Sequence, residues 1–599
     1  MSAPVFEVKN LDVRFSTPDG EIHAVKNANF TIVEGECLGV VGESGSGKSQ
    51  LFMAALGLLS SNGHATGSVK FRGTEILNLP TRQLNKMRGS KITMIFQDPL
   101  TSLTPHLTIG TQLIESLRIV RNISHQDATR RAIDALNLVR IPEAAQRLRQ
   151  YPHELSGGMR QRVMIAMATV CGPDLLIADE PTTALDVTVQ AEILDILRDL
   201  KRELKSAIVM ISHDMGVIAG IAEDVQVMRH GEIVECGKVD EIFHAPKHPY
   251  TRMLLDAMPR IDSVKRDLLP APPGGATLLD VNDLKVQFTV QRQGLFAGSR
   301  QLRAVDGVSL QLRQGETLGV VGESGCGKST LARAILKLVP MTEGTVVWCG
   351  RDLGPMQETA IRKLRKEFQI VFQDPLASLD PRMTIGQSIA EPLRTLRPEL
   401  SRAEIVTEVR GMMEHVGLDP NWINRYPHEF SGGQNQRVGI ARAMIVRPKL
   451  VICDEAVSAL DVSIQAQIID LIVRLQKEFG MSLIFISHDL SVVRQISHRV
   501  MVLYLGRVVE LASRDAIYEN PMHPYTRALI SAVPIPDPAL ERNRKRVRLT
   551  GDLPSPLDSR ASLTFLKSKV IDDPDAEQYR PKLMEVAPGH FVAEHDASV

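Results

Sequence analysis

Residues 42–49 have the sequence GESGSGKS, and residues 322–329 repeat it almost letter for letter as GESGCGKS. Both fit the pattern G-x-x-x-x-G-K-[ST], in which glycines let backbone N–H groups approach phosphate oxygens without obstruction by a Cβ atom. Apolar, strand-like residues precede each loop, at Cys37–Val41 and Leu318–Val321, and helical periodicity follows it. A strand, a glycine-rich loop and a helix whose positive end faces an anion predict two sites for nucleotide phosphates.

The repeat extends far beyond these two loops. FQDPL at 96–100 recurs at 372–376, YPHELSGG at 151–158 as YPHEFSGG at 426–433, ISHD at 211–214 at 486–489, and HPYTR at 248–252 at 523–527. The offset between partners is 280 residues at the phosphate loop, 276 at FQDPL and 275 at the other three motifs. A nearly constant offset indicates two copies of one domain, with small length changes confined to the early loops.

The sequence predicts four parts. A first domain spans residues 1–262, a linker rich in proline and glycine spans 263–276, a second domain spans 277–535, and a C-terminal tail spans 536–599. Short apolar runs inside each copy are typical of strands that are buried on both faces of a parallel sheet. Each copy is therefore expected to have an α/β fold with a helical insertion.

Composition is that of an ordinary globular protein, with 43% hydrophobic and 23% charged residues. Lys plus Arg and Asp plus Glu number 70 each, so no large basic field indicates nucleic acid as a partner. No segment approaches the roughly 20 apolar residues of a membrane-spanning helix, and no signal-peptide pattern is present. The six cysteines are scattered without a C-x-x-C pair, which predicts reduced thiols in the cytosol.

In each copy, an apolar run that ends in two acidic residues follows the phosphate loop. These runs are LLIADE at 175–180 and LVICDE at 450–455. Asp179 and Asp454 are placed to hold Mg²⁺ through water. Glu180 and Glu455 are the candidates to polarise the water that attacks the nucleotide, because a carboxylate can accept a proton from it.

A Ser-Gly-Gly motif lies between the phosphate loop and the acidic run of each copy, in LSGGMRQR at 155–162 and FSGGQNQR at 430–437. At the start of a helix, this motif resembles the signature of the ATP-binding-cassette family. The resemblance implies two tandem nucleotide-binding domains, each with a RecA-like core, an antiparallel β subdomain and a helical subdomain. It also implies that the signature of one domain caps the γ-phosphate held by the other.

The resemblance gives a role to each motif residue. The catalytic residues are expected to be Glu180, Glu455, His213 and His488. Mg²⁺ is expected at Ser49, Gln97 and Asp179 in the first copy and at Ser329, Gln373 and Asp454 in the second. The nucleotide is expected to contact Phe15, Gly42, Ser44, Gly45, Gly47, Lys48, Ser49, Gln97, Ser156, Gly157 and Gly158 of the first copy. In the second copy the corresponding set is Phe288, Gly322, Ser324, Gly325, Gly327, Lys328, Ser329, Thr330, Gln373, Ser431, Gly432 and Gly433.

Phe15 and Phe288 occupy the position of the aromatic residue that stacks on adenine in this family. An ordinary core phenylalanine remains the alternative at both positions. His213 and His488 end apolar runs, where a lone histidine is usually structural, but each has the full set of companion motifs. These two histidines match the switch histidine that contacts the γ-phosphate.

The HPYTR block after each domain resembles the C-terminal extension of importers for dipeptides, oligopeptides and nickel, and the chain resembles a fusion of their two ATPase subunits. The resemblance implies ATP and Mg²⁺ as cofactors and ATP hydrolysis that energises import of a small peptide or related solute. It implies two integral membrane permease subunits and an extracytoplasmic solute-binding protein as partners, and no nucleic acid. The chain would lie peripherally on the cytoplasmic face of the bacterial inner membrane.

Several points stay open in the sequence. The solute could be a dipeptide, an oligopeptide, a nickel chelate, glutathione, an opine or a peptide antibiotic, and a soluble twin-cassette ATPase that acts on the ribosome is the alternative function. Related tails often carry cysteines, but residues 558–588 have none, so no iron–sulfur cluster is expected. The basic run 542–548 is expected to be a solvated turn, with contact to lipid head groups as the alternative.

Overall fold

A computed structural model describes residues 4–18, 20–98, 102–183, 185–262, 275–291, 299–458, 460–547, 549, 557–558, 560–568 and 579–596. The chain forms two compact units. Unit 1 comprises Met1–Met258 and Pro534–Arg544, and unit 2 comprises Pro259–Val533 and Lys545–Val599. The predicted linker, 263–276, lies outside the described residues except at its last two positions, and so does part of the predicted tail.

Unit 1 contains two sheets. The first is antiparallel and is made of β1 (Pro4–Thr17), β2 (Gly20–Val33), β4 (Gly63–Phe71) and β5 (Thr74–Glu75), in the order β2-β1-β4-β5. The second is made of β3 (Cys37–Val41), β6 (Ile92–Ile95), β7 (Leu175–Asp179), β8 (Ala207–Ser212), β9 (Asp224–Arg229) and β10 (Glu232–Lys238). Its order is β10-β9-β3-β8-β7-β6, and all neighbours are parallel except β10, which is antiparallel to β9.

The helices of unit 1 surround the second sheet and form an insertion between β6 and β7. They are α1 (Lys48–Ala55), α2 (Thr81–Leu84), α3 (Ile109–Arg121), α4 (His125–Leu138), α5 (Ala144–Arg147), α6 (Gly157–Thr169), α7 (Val187–Leu204), α8 (Met215–Ile221), α9 (Val239–His244) and α10 (Pro249–Ala257), with a 3-10 turn at Pro152–Glu154. Serine and threonine residues start the insertion helices, as N-caps should: Thr108 accepts from the N–H of Thr111, and Ser124 from that of Asp127.

Unit 2 repeats this plan. Its antiparallel sheet contains β11 (Thr277–Gln291), β12 (Ser299–Arg313), β14 (Glu343–Trp348) and β15 (Arg351–Asp352), in the order β12-β11-β14-β15. Its main sheet contains β13 (Thr317–Val321), β16 (Phe368–Val371), β17 (Leu450–Asp454), β18 (Ser482–Ile486), β19 (Arg499–Tyr504), β20 (Arg507–Ser513), β21 (Leu583–Ala587) and β22 (His590–Ala593). The order is β16-β17-β18-β13-β19-β20-β22-β21, so the tail hairpin β21–β22 extends the sheet.

The helices of unit 2 fall at equivalent places. They are α11 (Lys328–Ile335), α12 (Glu358–Leu364), α13 (Ile385–Leu396), α14 (Arg402–His415), α15 (Gly432–Met444), α16 (Val462–Phe479), α17 (Leu490–Ile496), α18 (Arg514–Glu519) and α19 (Pro524–Ala532), with 3-10 turns at Pro420–Asn424, Pro427–Glu429 and Ala561–Leu563. Among the described helices, none combines the length and apolar character needed to cross a bilayer. The expected α/β class, with a core sheet, an antiparallel β part and a helical insertion in each copy, is confirmed.

The central strands are buried on both faces. All five residues of β3 and all five of β13 are buried, and the same is true of β7 and β17. Continuous apolar runs therefore form interior parallel strands rather than half-exposed ones, as the sequence predicted.

Each unit also contains a short segment that lies beyond the HPYTR helix of the other sequence copy. In unit 1 this segment is Pro534–Arg544, which includes helix α20 (Pro538–Asn543) and packs against α8. In unit 2 it begins at Pro259, and the carbonyl oxygens of Arg260 and Ile261 accept from the side chains of Gln495 and Arg494 on α17. The two segments are thus exchanged between the sequence copies.

The Pro534–Arg544 segment is held by a buried carboxylate. The side chain of Glu541 is 1% exposed, accepts from the N–H of Ile535 at 2.9 Å and lies 3.9 Å from the guanidinium of Arg198. Arg542 donates to the carbonyl oxygen of Ala222, so the first residue of the basic run belongs to a docked helix rather than to the solvated turn expected there. The close approach needs Gly216, where a Cβ would lie 2.9 Å from Pro534.

We expect Glu541→Ala to lower the stability of unit 1 by about 2–4 kcal/mol, because it leaves the half-buried Arg198 and the backbone N–H of Ile535 without their carboxylate. Urea unfolding followed by limited proteolysis of the first copy measures this loss. Glu519→Ala is the matched control, since Glu519 pairs with Arg494 but its side chain is 69% exposed. Equal, small effects of both substitutions would contradict a structural role for the docked segment.

Candidate nucleotide-binding sites

The strand order brings four distant motifs of unit 1 to one edge of the main sheet. The phosphate loop follows β3, His213 follows β8, Asp179 ends β7, and Gln97 lies two residues after β6. These four strands are parallel neighbours, so their carboxyl ends meet at the same edge. Open α/β sheets bind their ligands at this edge, where helix N-termini and loop N–H groups also converge.

Glycines shape the phosphate loop because backbone lies against it. Gly42 has φ 154° and Gly47 has φ 98°. A Cβ at Gly42 would lie 2.3 Å from the carbonyl oxygen of Met228, and one at Gly47 would lie 2.3 Å from that of Ala24. Gly322 and Gly327 repeat both restrictions in unit 2. The middle glycines, Gly45 and Gly325, have φ 75° and 77° with open space around them, and Ser44 and Ser324 are exposed at the tip of each loop.

The loop lysine is buried and bound to the loop itself. The Nζ atom of Lys48 donates to the carbonyl oxygens of Gly42 at 2.7 Å and Glu43 at 2.9 Å. In unit 2, Lys328 makes the same bonds to Gly322 at 2.8 Å and Glu323 at 3.0 Å. The ammonium group is therefore held over the loop, in the position from which it can neutralise phosphate oxygens.

An oxygen-ligand pair lies beside each lysine. The hydroxyl of Ser49 donates to the Oδ1 of Asp179 at 2.9 Å, and that of Ser329 donates to the Oδ1 of Asp454 at 2.7 Å. Both aspartates are buried; burial, together with the adjacent glutamate charge, raises the pKa of each carboxyl. A hydroxyl and a carboxylate are the oxygen donors that Mg²⁺ prefers, and a cation there would favour the ionised aspartate.

Glu180 is held in an uncommon backbone conformation, with φ 46°, and its N–H donates to the carbonyl oxygen of Ile211. Its carboxylate accepts from the side-chain amide of Gln97 and from the hydroxyl of Thr183, both at 2.8 Å, and lies 3.3 Å from the Nδ1 of His213. Three separate segments thus orient one carboxylate, and they include two of the residues predicted to act with it.

The electrostatics keep this carboxylate ionised. Burial alone would raise the pKa of Glu180, but the hydrogen bond and charge of His213, the Thr183 hydroxyl and the charge of Lys48 outweigh it and lower the pKa to about 2. The hydrogen bond to Glu180 raises the pKa of His213 in turn. An ionised carboxylate beside the phosphate loop can accept a hydrogen bond from water and orient it for attack.

Unit 2 contains the same arrangement. Glu455 has φ 48°, accepts from Gln373 at 2.9 Å and lies 3.6 Å from the Nδ1 of His488. The hydrogen bond to His488 lowers the pKa of Glu455, against the effect of burial. In addition, the Nζ of Lys328 lies 3.8 Å from this carboxylate. Both units therefore present a complete set of charged and polar groups at the sheet edge.

The two sites differ in the turn after the glutamate. Thr183 donates to the carboxylate of Glu180, whereas its counterpart Ser458 donates to the backbone oxygen of Glu455. Thr183 is a residue of this site that the sequence motifs did not identify, because the local sequence does not show that its hydroxyl turns back to Glu180.

A second difference lies beneath the same turn. Gln161 donates from Nε2 to the carbonyl oxygen of Pro181 at 2.7 Å. Unit 2 has alanine in place of this proline, and the Nε2 of the equivalent Gln436 is buried without a hydrogen-bond partner among the described residues. The replacement of Pro181 by Ala456 thus coincides with the loss of a buried hydrogen bond.

The signature motif starts a helix in each unit, and its serine and first glycine are exposed. Ser156 caps α6 by accepting from the N–H of Met159, and Ser431 caps α15 by accepting from that of Gln434. Gly158 and Gly433 are needed for packing, because a Cβ would lie 2.6 Å from Val189 or 2.5 Å from Ile464, whereas Gly157 and Gly432 face open space. These caps engage both serine hydroxyls within their own helices, apart from the phosphate-loop network of the same unit.

The two adenine-stacking candidates differ in environment. Phe15 is half-buried against the core, and a Cβ on Gly63 would lie 2.7 Å from its ring. Phe288 is 40% exposed. Thr330 follows Ser329 in the first turn of α11. The roles predicted for these three residues stay predictions.

Comparison with known proteins supplies the family. The profile described as "ABC transporter" matches residues 25–183 and 305–458, which is more than half of the chain. This chain belongs to the ABC transporter family. The profile described as "Oligopeptide/dipeptide transporter, C-terminal region" also matches, at residues 234–283 and 509–564. The resemblance inferred from the sequence motifs is thereby confirmed.

Relatives of this ABC transporter protein match over nearly their whole length. It is 46% identical to the glutathione import ATP-binding protein GsiA of Pectobacterium atrosepticum, over 99% of this chain and 97% of that protein. It is also 46% identical to the protein of that name from Escherichia coli K12, over 98% and 97%. A solved structure of the ATP-binding cassette MJ0796 with ADP and Pi is 30% identical, with a TM-score of 0.36, and covers 39% of this chain and 98% of that one. As an ABC ATPase, this chain binds and hydrolyses ATP.

The two signature serines differ in their helix caps, which predicts a difference in local stability. Swapping the residues three positions after each serine tests this. Ser431 forms a capping box, because its own N–H donates to the side chain of Gln434 at 2.9 Å, whereas Met159 gives Ser156 no such acceptor. We expect Met159→Gln to stabilise unit 1 by roughly 0.5–1 kcal/mol, and Gln434→Met to destabilise unit 2 by a similar amount. Urea unfolding monitored by hydrogen exchange of α6 and α15 measures both, and shifts of the same sign would disprove the explanation.

Proposed function

We propose that this ABC ATPase energises the import of a small peptide or related solute through separate transmembrane subunits, at the cytoplasmic face of a bacterial inner membrane. The observation that carries the proposal is that a phosphate-loop serine bonds to the aspartate of the acidic strand at the same sheet edge in both units, in a chain that matches the oligopeptide/dipeptide transporter C-terminal region twice. Glutathione, itself a tripeptide, is the first solute to test, because the full-length relatives are glutathione import proteins.

In each site the residues divide the work of phosphoryl transfer to water. Lys48 and the loop N–H groups would neutralise the β- and γ-phosphates. Ser49 and Asp179 would hold a Mg²⁺ ion, which would supply further positive charge. Glu180 accepts a hydrogen bond from the attacking water and orients it toward the γ-phosphorus. Gln97 and His213 hold Glu180 through the contacts described above.

Unit 2 assigns the same roles to the equivalent residues Lys328, Ser329, Gln373, Asp454, Glu455 and His488. We propose that the signature residues Ser156, Gly158, Ser431 and Gly433 also contact nucleotide phosphate. Both serines are exposed, and all four residues lie at helix N-termini, which bind anions.

A groove in unit 1 supports the coupling of hydrolysis to a membrane partner. It has a volume of about 290 Å³, lies beside β6 and α6, and is lined mainly by apolar side chains that include Leu58, Met94, Phe96 and Met167. Phe96 is 38% exposed in this groove and directly precedes Gln97, which bonds to Glu180. We propose that a cytoplasmic helix of a permease subunit docks here, so that its movement and the position of Gln97 are linked.

The first test addresses catalysis. We expect Glu180→Gln and Glu455→Gln each to lower ATP turnover at least twofold, and the double variant to lower it by at least about 100-fold, the lower end of what a positioned base contributes. Steady-state phosphate release by the purified chain, or by its complex, measures turnover.

The variants Asp195→Asn and Asp470→Asn, which change a carboxylate on α7 and α16 outside the sites, are the matched controls. ATP binding measured at equilibrium should survive in all four single variants. If one glutamate variant keeps full turnover, the site that contains it is not hydrolytic.

The second test addresses partners and solute. The tagged chain, extracted from native membranes in mild detergent, should retain two polytopic membrane proteins, identified by mass spectrometry. ATPase activity of that complex in liposomes should rise when the cognate binding protein and glutathione are added together, and not with binding protein alone. Ribosomal proteins in the eluate without a membrane partner would overturn the transport proposal and favour the ribosomal alternative.

A further inference from the structure

The HPYTR motif forms the start of a helix in each unit. Its histidine caps that helix, and its tyrosine side chain points away from it. In unit 2, the Nδ1 of His523 accepts from the N–H of Tyr525, and the proline between them occupies the first helical position of α19. The side chain of Arg527 donates to the carbonyl oxygen of Pro521. The motif thus builds a rigid N-terminus that leaves the tyrosine side chain to point away from the helix.

A buried carboxylate fixes this N-terminus to the main sheet. Glu510 on β20 is 0% exposed and accepts from the N–H groups of Met522 and His523 at 2.8 and 2.9 Å. The tail adds a third bond, because His590 on β22 lies 2.8 Å from the same carboxylate. In unit 1, Glu235 accepts in the same way from the N–H groups of Lys247 and His248. The backbone that carries the tyrosine is therefore held in place in both units.

The tyrosine hydroxyl ends at the phosphate loop. In unit 2, the Oη of Tyr525 accepts from the N–H of Glu323 at 3.1 Å and donates to the Oε2 of the same residue at 3.2 Å. In unit 1, the Oη of Tyr250 accepts from the N–H of Glu43 at 3.4 Å. Both tyrosines are buried, at 0% and 3% exposure. The contact occurs twice, between motifs that are distant in sequence: the tyrosines are 275 residues apart and the loop glutamates 280.

This contact bears on the loop lysine through a single residue. The carbonyl oxygen of Glu323, whose N–H the tyrosine holds, accepts from the Nζ of Lys328 at 3.0 Å. Gly322, the residue before it, offers the other carbonyl to the same ammonium group. Gly322 has no side chain that could restrain the loop here. The tyrosine hydroxyl therefore restrains the backbone whose carbonyl oxygens bind the ammonium group of Lys328.

We propose that Tyr525 and Tyr250 are positioning residues of the two phosphate loops, and that the HPYTR motif exists in each unit to present them. The tyrosine does not touch the nucleotide; it holds the backbone of Glu323 or Glu43 so that the loop N–H groups and the lysine keep the spacing that a triphosphate needs. This inference rests on the proposed assignment of the loops as the nucleotide sites.

The two units should depend on the tyrosine to different degrees. Tyr525 lies in an aromatic cluster with Tyr504, at 4.7 Å between ring centroids, and with Phe565 of the tail, at 6.1 Å. Tyr250 has the guanidinium of Arg229 over its ring at 4.7 Å instead, and its bond to the loop is longer. The tail therefore reinforces the restraint in unit 2, and the second loop is the more tightly held.

The experiment removes one oxygen atom from the full chain. Tyr525→Phe is made on a Lys48→Ala background, which leaves unit 2 as the nucleotide site, and Tyr504→Phe is the matched control. Tyr504 lies in the same cluster, but its hydroxyl faces Thr564 at 3.4 Å rather than the loop. Equilibrium dissociation constants for ATP and for ADP, KM and kcat for ATP, and the midpoint of thermal unfolding are measured for each.

Tyr525→Phe should weaken both ATP and ADP binding by about three- to tenfold, the value of one hydrogen bond, and raise KM more than it lowers kcat. Tyr504→Phe should change affinity by less than about twofold while lowering the unfolding midpoint to a comparable extent. Equal affinities for the two variants, or a loss in both that follows the unfolding midpoint, would overturn the inference. Should Tyr525→Phe fail to fold, Tyr250→Phe on a Lys328→Ala background tests the same restraint, with a smaller expected loss.

A further variant separates this inference from the proposal beneath it. Lys48→Ala combined with Lys328→Ala should abolish nucleotide binding. If that double variant still binds ATP, the loops are not the nucleotide sites and the proposed function fails. The double variant can also lose ATP binding while Tyr525→Phe leaves the affinity for ATP unchanged. In that case the assignment of the loops stands and only the role of the tyrosine is refuted.

Discussion

The parallel register of the main sheet is the constraint on which both sites depend. In unit 1, Val41 pairs with Ser212, Ile211 with Asp179, and Ala178 with Ile95. The chain therefore leaves four neighbouring strands at almost the same level, and the phosphate loop, histidine, acidic pair and glutamine begin within a residue or two of that level. A slip of one residue between two strands would turn every side chain to the opposite face and separate these groups.

Backbone strain at the glutamates is the second element of the design. Glu180 and Glu455 both have positive φ, a conformation that costs a non-glycine residue on the order of 1 kcal/mol or more. Two kinds of hydrogen bond offset that cost. The backbone N–H of each glutamate donates to the neighbouring strand, and its carboxylate accepts from nearby side chains. In return, the carboxylate leaves the strand direction and points at the phosphate loop, while the aspartate before it stays in the strand and meets the loop serine.

Most of the site could be predicted because its residues lie in short sequence motifs. Glycine spacing, an apolar run ending in Asp-Glu, and a Ser-Gly-Gly helix start are short patterns, each with its own physical reason, and the burial of β3 and β7 follows from their unbroken apolar sequence. The domain boundaries were placed from the same kind of pattern, at 262 and 277, and stay sequence-based assignments.

Other features could not be predicted, because they depend on where separate segments pack. Thr183 is an ordinary hydroxyl until the fold places it against Glu180. Glu541 lies in a polar segment that looks solvated, yet it is buried against Arg198. The phenol of Tyr525 reaches a loop 202 residues earlier in the chain, a distance at which no periodic pattern connects the two. Such contacts become visible only in three dimensions.

The exchange of short segments between the sequence copies has a consequence for the synthesis of the protein on the ribosome. Unit 1 is completed by Pro534–Arg544, which is synthesised only after the whole of Pro259–Val533. At synthesis rates of about 5–20 residues per second that interval lasts on the order of tens of seconds. During it, helix α8 has no α20 to cover it, and Arg198 has no Glu541. Unit 1 is thus begun first but is completed only when Arg544 has been added, so a chain that ends between Met258 and Pro534 lacks the segment that covers α8.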